Sequence, residues 1–188
     1  MLDEKRTDEF IDIGRDMFLR GLVNSHAGNM SIRDGKTIYI TRTGSMLGRL
    51  KPDDIIEVEM ENLDDPEIPR ASMELVVHRA IYQKTEAQAI VHAHPPYATL
   101  LSLHGEIVPI DSEGSYRFKR IRSAAPENTI ASDESAIIVS DYLRKDTIAL
   151  VRAHGSFARG ATLEEAYMYT SVLESAAFYV YHMELMKR

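Results

Sequence analysis

Ala89-Ile90-Val91-His92-Ala93-His94-Pro95-Pro96 is the stretch on which the reading of this chain turns. Small and branched apolar side chains in a short run predict a buried strand over residues 89–94. Pro95-Pro96 stops it, because proline has no N–H for the ladder and restricts the residue before it. Successive side chains on a strand point to opposite faces, so His92 and His94 present two imidazoles to one side while Val91 and Ala93 face the other. The stop places the pair at a rim that solvent and small molecules reach. Paired histidines at this spacing are one way to hold a divalent metal. Taken alone, they are equally well two unrelated histidines at a strand end.

A second apolar run, Ala149-Leu150-Val151-Arg152-Ala153-His154-Gly155, sets another histidine at a strand exit. The strand is expected over 147–153. A lone histidine there is usually a satisfied core or turn residue. Two strand-exit sites in one small chain favour three imidazoles around an open metal position, the arrangement of a catalytic centre.

Between these runs, Ser72 can cap a helix reaching about residue 84, with Glu74 in its first turn, where backbone amides favour a carboxylate. From position alone this is capping chemistry. His78, one turn further on the same face, reads as structural. Two glycine-bearing turns, His26-Ala27-Gly28-Asn29-Met30-Ser31 and Thr41-Arg42-Thr43-Gly44-Ser45, adjoin strands and offer amides and hydroxyls suited to an anion. Each alone is ordinary turn chemistry. Arg42, Arg49 and Lys51 can add local positive charge or simply be solvated.

The remaining pattern interleaves helices and strands. A helix is expected over 7–22, strands over 29–32, 37–41 and 55–58, and a loop over 62–70. A helix follows over 97–104, then an irregular basic stretch over 111–128 carrying Tyr116. A further helix is expected over 132–143, and the capping box Thr162-Leu163-Glu164-Glu165 opens the longest helix, through 186. That order indicates an α/β or α+β layered fold in one domain over 1–188. The 188 residues suffice for a sizeable core, and a net charge of −7 argues against nucleic acid as a partner. No apolar run approaches the ~18 residues of a membrane span, and the charged N-terminus has no apolar leader, so no membrane partner and a cytoplasmic location are expected. With no cysteine, any metal site must use histidine and carboxylate.

Taken together, Gly21-Leu22, 27–33, Thr41-Arg42-Thr43-Gly44, Ser72-Met73-Glu74, Val91-His92-Ala93-His94, Ala153-His154-Gly155 and 163–166 resemble the class II aldolase/adducin family in order and spacing. The resemblance covers nearly the whole chain. It implies a three-layer αβα fold around a largely antiparallel or mixed sheet. It implies Zn²⁺ held by His92, His94 and His154, with Glu74 as a further ligand that turns to acid/base work; Mn²⁺, Co²⁺ or Fe²⁺ also suit such imidazoles. It places a substrate phosphate on Gly28, Asn29, Thr43, Gly44 and Ser72. The implied activity is retro-aldol cleavage of a small phosphorylated sugar, L-fuculose 1-phosphate foremost, in a homo-oligomer of tetrameric form. Alternatives within the family are a pentulose-5-phosphate 4-epimerase, a methylthioribulose-phosphate dehydratase and a non-catalytic adducin-like module. The epimerase branch typically has aspartate where Glu74 stands, and the module lacks the metal ligands.

The family pattern is departed from at Met73, where a second serine is usual, and at His26, where a small hydroxyl residue is usual. The sequence also ends with its long helix, where some family aldolases continue into a tail bearing a tyrosine. Tyr116, with Glu113 as a second candidate, is therefore the expected proton donor on the aldehyde side.

Overall fold

The computed structural model describes residues 2–187. Its centre is one seven-stranded sheet in the order β3-β2-β1-β4-β7-β6-β5. The strands are β1 (Asn29–Asp34), β2 (Thr37–Thr41), β3 (Ile55–Glu59), β4 (Ala89–Ala93), β5 (Ser123–Ala124), β6 (Ile148–Val151) and β7 (Gly155–Gly160). All neighbours are antiparallel except β5 and β6. The helices are α1 (Glu4–Leu19), α2 (Leu75–Lys84), α3 (Pro96–Leu101), α4 (Ser112–Arg117), α5 (Asp133–Leu143) and α6 (Leu163–Met186).

The alternation of each strand feeds two cores. Met30, Ile32, Val91, Ala93, Leu150 and Ala158 pack under α1, α3 and α6. Ile38, Ile40, Ile90, Ala149, Val151 and Phe157 pack under α2 and α5. Helices therefore cover both faces, and the three-layer expectation holds. In β4 the alternation also sorts the histidines: Val91 and Ala93 enter the first core, and His92 turns to the second, stacked on Phe157.

Several boundaries differ from the sequence reading. α1 begins at Glu4 because the Asp3 carboxylate accepts from the Arg6 N–H, and it ends at Leu19, before Gly21 at φ 68°. The 97–104 helix is α3 from Pro96, relaxed into a 3₁₀ turn at Ser102–His104. The stretch 111–128 is not wholly irregular. Asp111 caps α4, and Ser123-Ala124 pairs with β6 through backbone bonds that no side-chain periodicity announces in two residues. Strand β7 lacked a signal because Gly155-Ser156-Phe157-Ala158-Arg159-Gly160 mixes small and polar residues; its pairing with both β4 and β6 makes it a strand. Among the described residues no helix is long and apolar enough to cross a membrane.

Candidate active site

The site lies where β4 and the β6–β7 turn reach the end of the sheet beside the start of α2. His92 pairs with Phe157 across β4 and β7, and His154 sits in the turn between β6 and β7, after Ala153 at φ 58°. The ring centroids of His92, His94 and His154 stand 4.8–4.9 Å from one another. Gly155 makes this possible. A Cβ there would sit 2.9 Å from His94 Cδ2 and collide with the Ala93 carbonyl, so only glycine lets β7 begin against the histidine strand.

One ligand atom from each ring lies within 4.8 Å of the others. His92 is oriented through Nδ1, which donates to the Ser156 carbonyl at 2.9 Å. Its Nε2 then carries the lone pair, and it faces His94 Nε2 at 3.0 Å. Two imidazole lone pairs at that separation repel each other unless a proton or a cation lies between them. Burial reinforces the point by disfavouring charged rings. It holds His92 well below its ordinary range, helped by the neighbouring His94, His154 and His78, and lowers His94 to about 4. His154 is lowered by burial too, with the Thr129 backbone opposing. Neutral, convergent imidazoles fit a divalent metal, and Ser156 supplies the orienting acceptor that such ligands require.

Glu74 completes the group. Its Oε1 lies 3.8 Å from His154 Nε2 and accepts the Ala131 N–H at 3.1 Å, while Oε2 is buried without a partner. Burial raises its carboxyl to about 7 against the opposing pull of that amide. Its position differs in one respect from the sequence expectation. α2 begins at Leu75, so Glu74 is the N-cap residue, just outside the helix and not within its first turn. Ser72 lies two residues before it and receives the Glu74 N–H at 3.3 Å instead of capping the helix.

The five residues expected at the phosphate, Gly28, Asn29, Thr43, Gly44 and Ser72, line one cavity of about 290 Å³ together with Glu74, His92, His94 and His154. Gly28, at φ 81°, is held by close approach: a Cβ would meet Val23 and the His92 carbonyl. Arg42 borders the same cavity, but its guanidinium is engaged by Asp54 at 2.7 Å. His26 and Met73 also border it, Met73 being 64% exposed. Tyr116 is not brought there. It lies on α4, which packs on α6, and is 81% exposed; Glu113 sits on the same short helix.

Sequence reasoning missed the 129–131 loop, which contributes Ile130 to the cavity wall and the Ala131 amide to Glu74. Ala131 adopts φ 48°, a left-handed conformation uncommon outside glycine. Nothing in Thr129-Ile130-Ala131 announces that. It also missed Phe157, whose ring stacks on His92 at 4.1 Å between centroids.

Residues 8–181 match the family model described as the Class II Aldolase and Adducin N-terminal domain. The chain belongs to the class II aldolase/adducin family. An L-fuculose phosphate aldolase of Methanococcus maripaludis is 36% identical over 181 residues, covering 95% of this chain and 98% of that one. A 3-oxo-tetronate 4-phosphate decarboxylase of Haemophilus influenzae is 32% identical over 185 residues, covering 94% and 87%. Among solved structures, the L-fuculose-1-phosphate aldolase from Thermus thermophilus superposes with a TM-score of 0.94 at 37% identity, covering 98% of this chain and 97% of that one. Family and three-layer fold thus agree with the residues from which they were expected.

Proposed function

We propose that this chain is a Zn²⁺-dependent aldolase that cleaves a small sugar phosphate, with L-fuculose 1-phosphate the first substrate to test and dihydroxyacetone phosphate and lactaldehyde the products. The observation that carries the reading is the convergence of His92, His94 and His154 beside the Glu74 carboxylate, in the cavity that also holds Gly28, Asn29, Thr43, Gly44 and Ser72. A divalent ion bound there supplies Lewis acidity to the negative charge that develops on the substrate as its carbon–carbon bond breaks.

The chain's own residues do the rest. Gly28, Gly44, Thr43 and Ser72 seat the phosphate, fixing the sugar by contacts remote from the reacting bond. The Ser72 hydroxyl accepts the Glu74 N–H, which leaves its own proton free for a phosphate oxygen. Glu74, 3.8 Å from His154, delivers the proton that the carbon left by cleavage takes up, and the proton lost by the hydroxyl that becomes the aldehyde replaces it. Ala131 keeps that carboxyl turned toward the histidines.

The protein is also proposed to act as a cytoplasmic homo-oligomer, a tetramer by family habit. Support comes from an apolar groove of about 870 Å³ between α2 and α5, which shares Thr43, Ser72 and Met73 with the catalytic cavity. In such an assembly Tyr116 would serve a neighbouring copy's cavity. Mass measurement of the native protein tests the assembly.

The decisive assay follows release of dihydroxyacetone phosphate from L-fuculose 1-phosphate with a coupled reductase, before and after chelation. Release that the chelator abolishes and Zn²⁺ restores is the expected result. The decarboxylase relative supports a second reading, in which a 3-oxo acid phosphate loses CO₂ in the same cavity. Carbon dioxide release from such an acid, with no turnover of fuculose 1-phosphate by the zinc-loaded protein, would replace the aldolase reading with that one.

A further inference from the structure

We propose that Glu174, on α6 and outside the cavity, is a positioning residue that fixes the aim of His94 by clamping the turn behind it; this rests on the three-histidine metal reading above. The need for a clamp begins in the sequence. The first amides of a helix lack intrahelical acceptors, and a polar side chain at the N-cap ordinarily takes one of them. Here that residue is Pro95, which has nothing to offer, and α3 accordingly shows no side-chain cap. The Tyr97 and Ala98 amides instead donate to Glu174, to Oε1 and Oε2 respectively, each at 3.0 Å. One carboxylate thus satisfies two amides from a helix more than seventy residues away in sequence.

His94 is the ligand that depends on this. His92 is oriented by its own ring, through Ser156 and the Phe157 stack. The His94 ring packs beside His154 and Gly155, but among the described residues its one polar contact is the approach to His92, and no acceptor orients it from behind. Its direction is therefore set by its backbone, held on one side by the His94 N–H to the Leu22 carbonyl at 2.9 Å. The other side is Pro95-Pro96 running straight into the two amides on Glu174. The Tyr97 ring, lodged against Phe178, Tyr181 and His182, docks the same turn on α6 but does not satisfy its amides.

The test compares wild type, Glu174→Ala, Glu174→Gln and Val172→Ala, the last a buried apolar α6 position with no part in the hydrogen bonds of this turn. Three quantities are read for each: metal-free Tm, Zn²⁺ affinity by chelator competition, and the visible absorption of the Co²⁺-substituted protein. Glu174→Ala should bind Zn²⁺ about tenfold or more weakly and change the Co²⁺ bands, as loss of a partner behind a ligand does elsewhere. Glu174→Gln, which keeps one acceptor and nearly the full volume, should fall between and stands in if the alanine variant does not fold. Val172→Ala should lose Tm alone. Glu174 variants that lose Tm with wild-type Zn²⁺ affinity and Co²⁺ bands would reduce Glu174 to a helix cap and overturn the proposal. Wild-type protein that takes up no Co²⁺ would overturn the metal reading itself, a distinct result.

Discussion

At the residue scale, His92 and Glu74 do opposite things for stability and function. His92 is buried, neutral and aimed. Partners behind a metal ligand are typically worth 10–100-fold in affinity, so His92→Ala, which removes the ligand itself, should weaken Zn²⁺ binding by more than about a hundredfold. Metal content after dialysis checks this, and retained metal with retained turnover would sink the ligand assignment. Glu74 is a buried carboxylate with one oxygen unpartnered, so in the metal-free protein it costs stability. Its folded value of about 7 lies above the ordinary 4.5. Its protonated form is therefore tolerated below 4.5, and the cost of ionisation sets in as pH rises from there through 7. Metal-free Glu74→Gln should be more stable than wild type at pH 8, on the order of 1–3 kcal/mol, and no better at pH 4.5. Denaturant titrations at both values decide it; an equal difference at the two would refute the burial argument. The same substitution should remove turnover. The histidines push the other way: His94 is lowered to about 4 and His78 to about 3, both chiefly by burial, so their contribution to metal-free stability is complete above about pH 6.5 and is lost as pH falls toward 3. At this scale the three histidines were readable in the sequence because their spacing states their face, whereas the acceptor behind His92 is a main-chain carbonyl and carries no residue signature.

At the element scale, two junctions hold the site. One is the start of β7 against the end of β4. Gly155→Ala would drive a methyl into the Ala93 carbonyl and to 2.9 Å from His94 Cδ2. Overpacking of that kind costs roughly 1–3 kcal/mol, and here the strain falls on a candidate metal ligand. Thermal unfolding and zinc stoichiometry should both drop; an unaffected stoichiometry would mean β7 shifts freely. The other junction is α2 on β1. The Ser31 hydroxyl bridges buried His78 Nδ1 and Tyr82 O–H, each at 2.7 Å. Ser31→Ala leaves two buried polar groups short of a partner and should cost about 2 kcal/mol or more in a chemical melt. A change below half that would show that the pair finds other partners. The sequence made α2 and β1 visible through their periodicities, but Ser31 reads there as one more small strand residue. Its role exists only once β1 lies under α2.

At the scale of the whole molecule, the three histidines come from β4 and its exit and from the β6–β7 turn, and the acid from the start of α2, so a metal would tie three separated parts of the chain together. A ligand that binds only the folded state stabilises it by mass action, about 4 kcal/mol at a thousandfold excess over Kd. For a chain of this length that is on the order of 10 °C in Tm, and chelation should lower Tm by about that much. An unchanged Tm would separate the histidine cluster from metal. Family, layered class, the three imidazoles and the candidate phosphate turns were all legible in the chain before it was folded. The last three are written in local pattern, period two in β4, glycines in the turns and a capping box opening α6, and the family followed from the resemblance of these motifs taken together. Three-dimensional packing was needed to learn that Tyr116 stays outside this chain's cavity and that Ala131 supplies the amide on Glu74. Packing alone showed that β7 is the strand joining the two histidine sites, and that Glu174 caps the helix after His94. The physical reason is common to all four. They depend on which groups distant in sequence come together, several of them main-chain atoms, and a main-chain N–H or carbonyl is the same in every residue until the fold brings it to a partner.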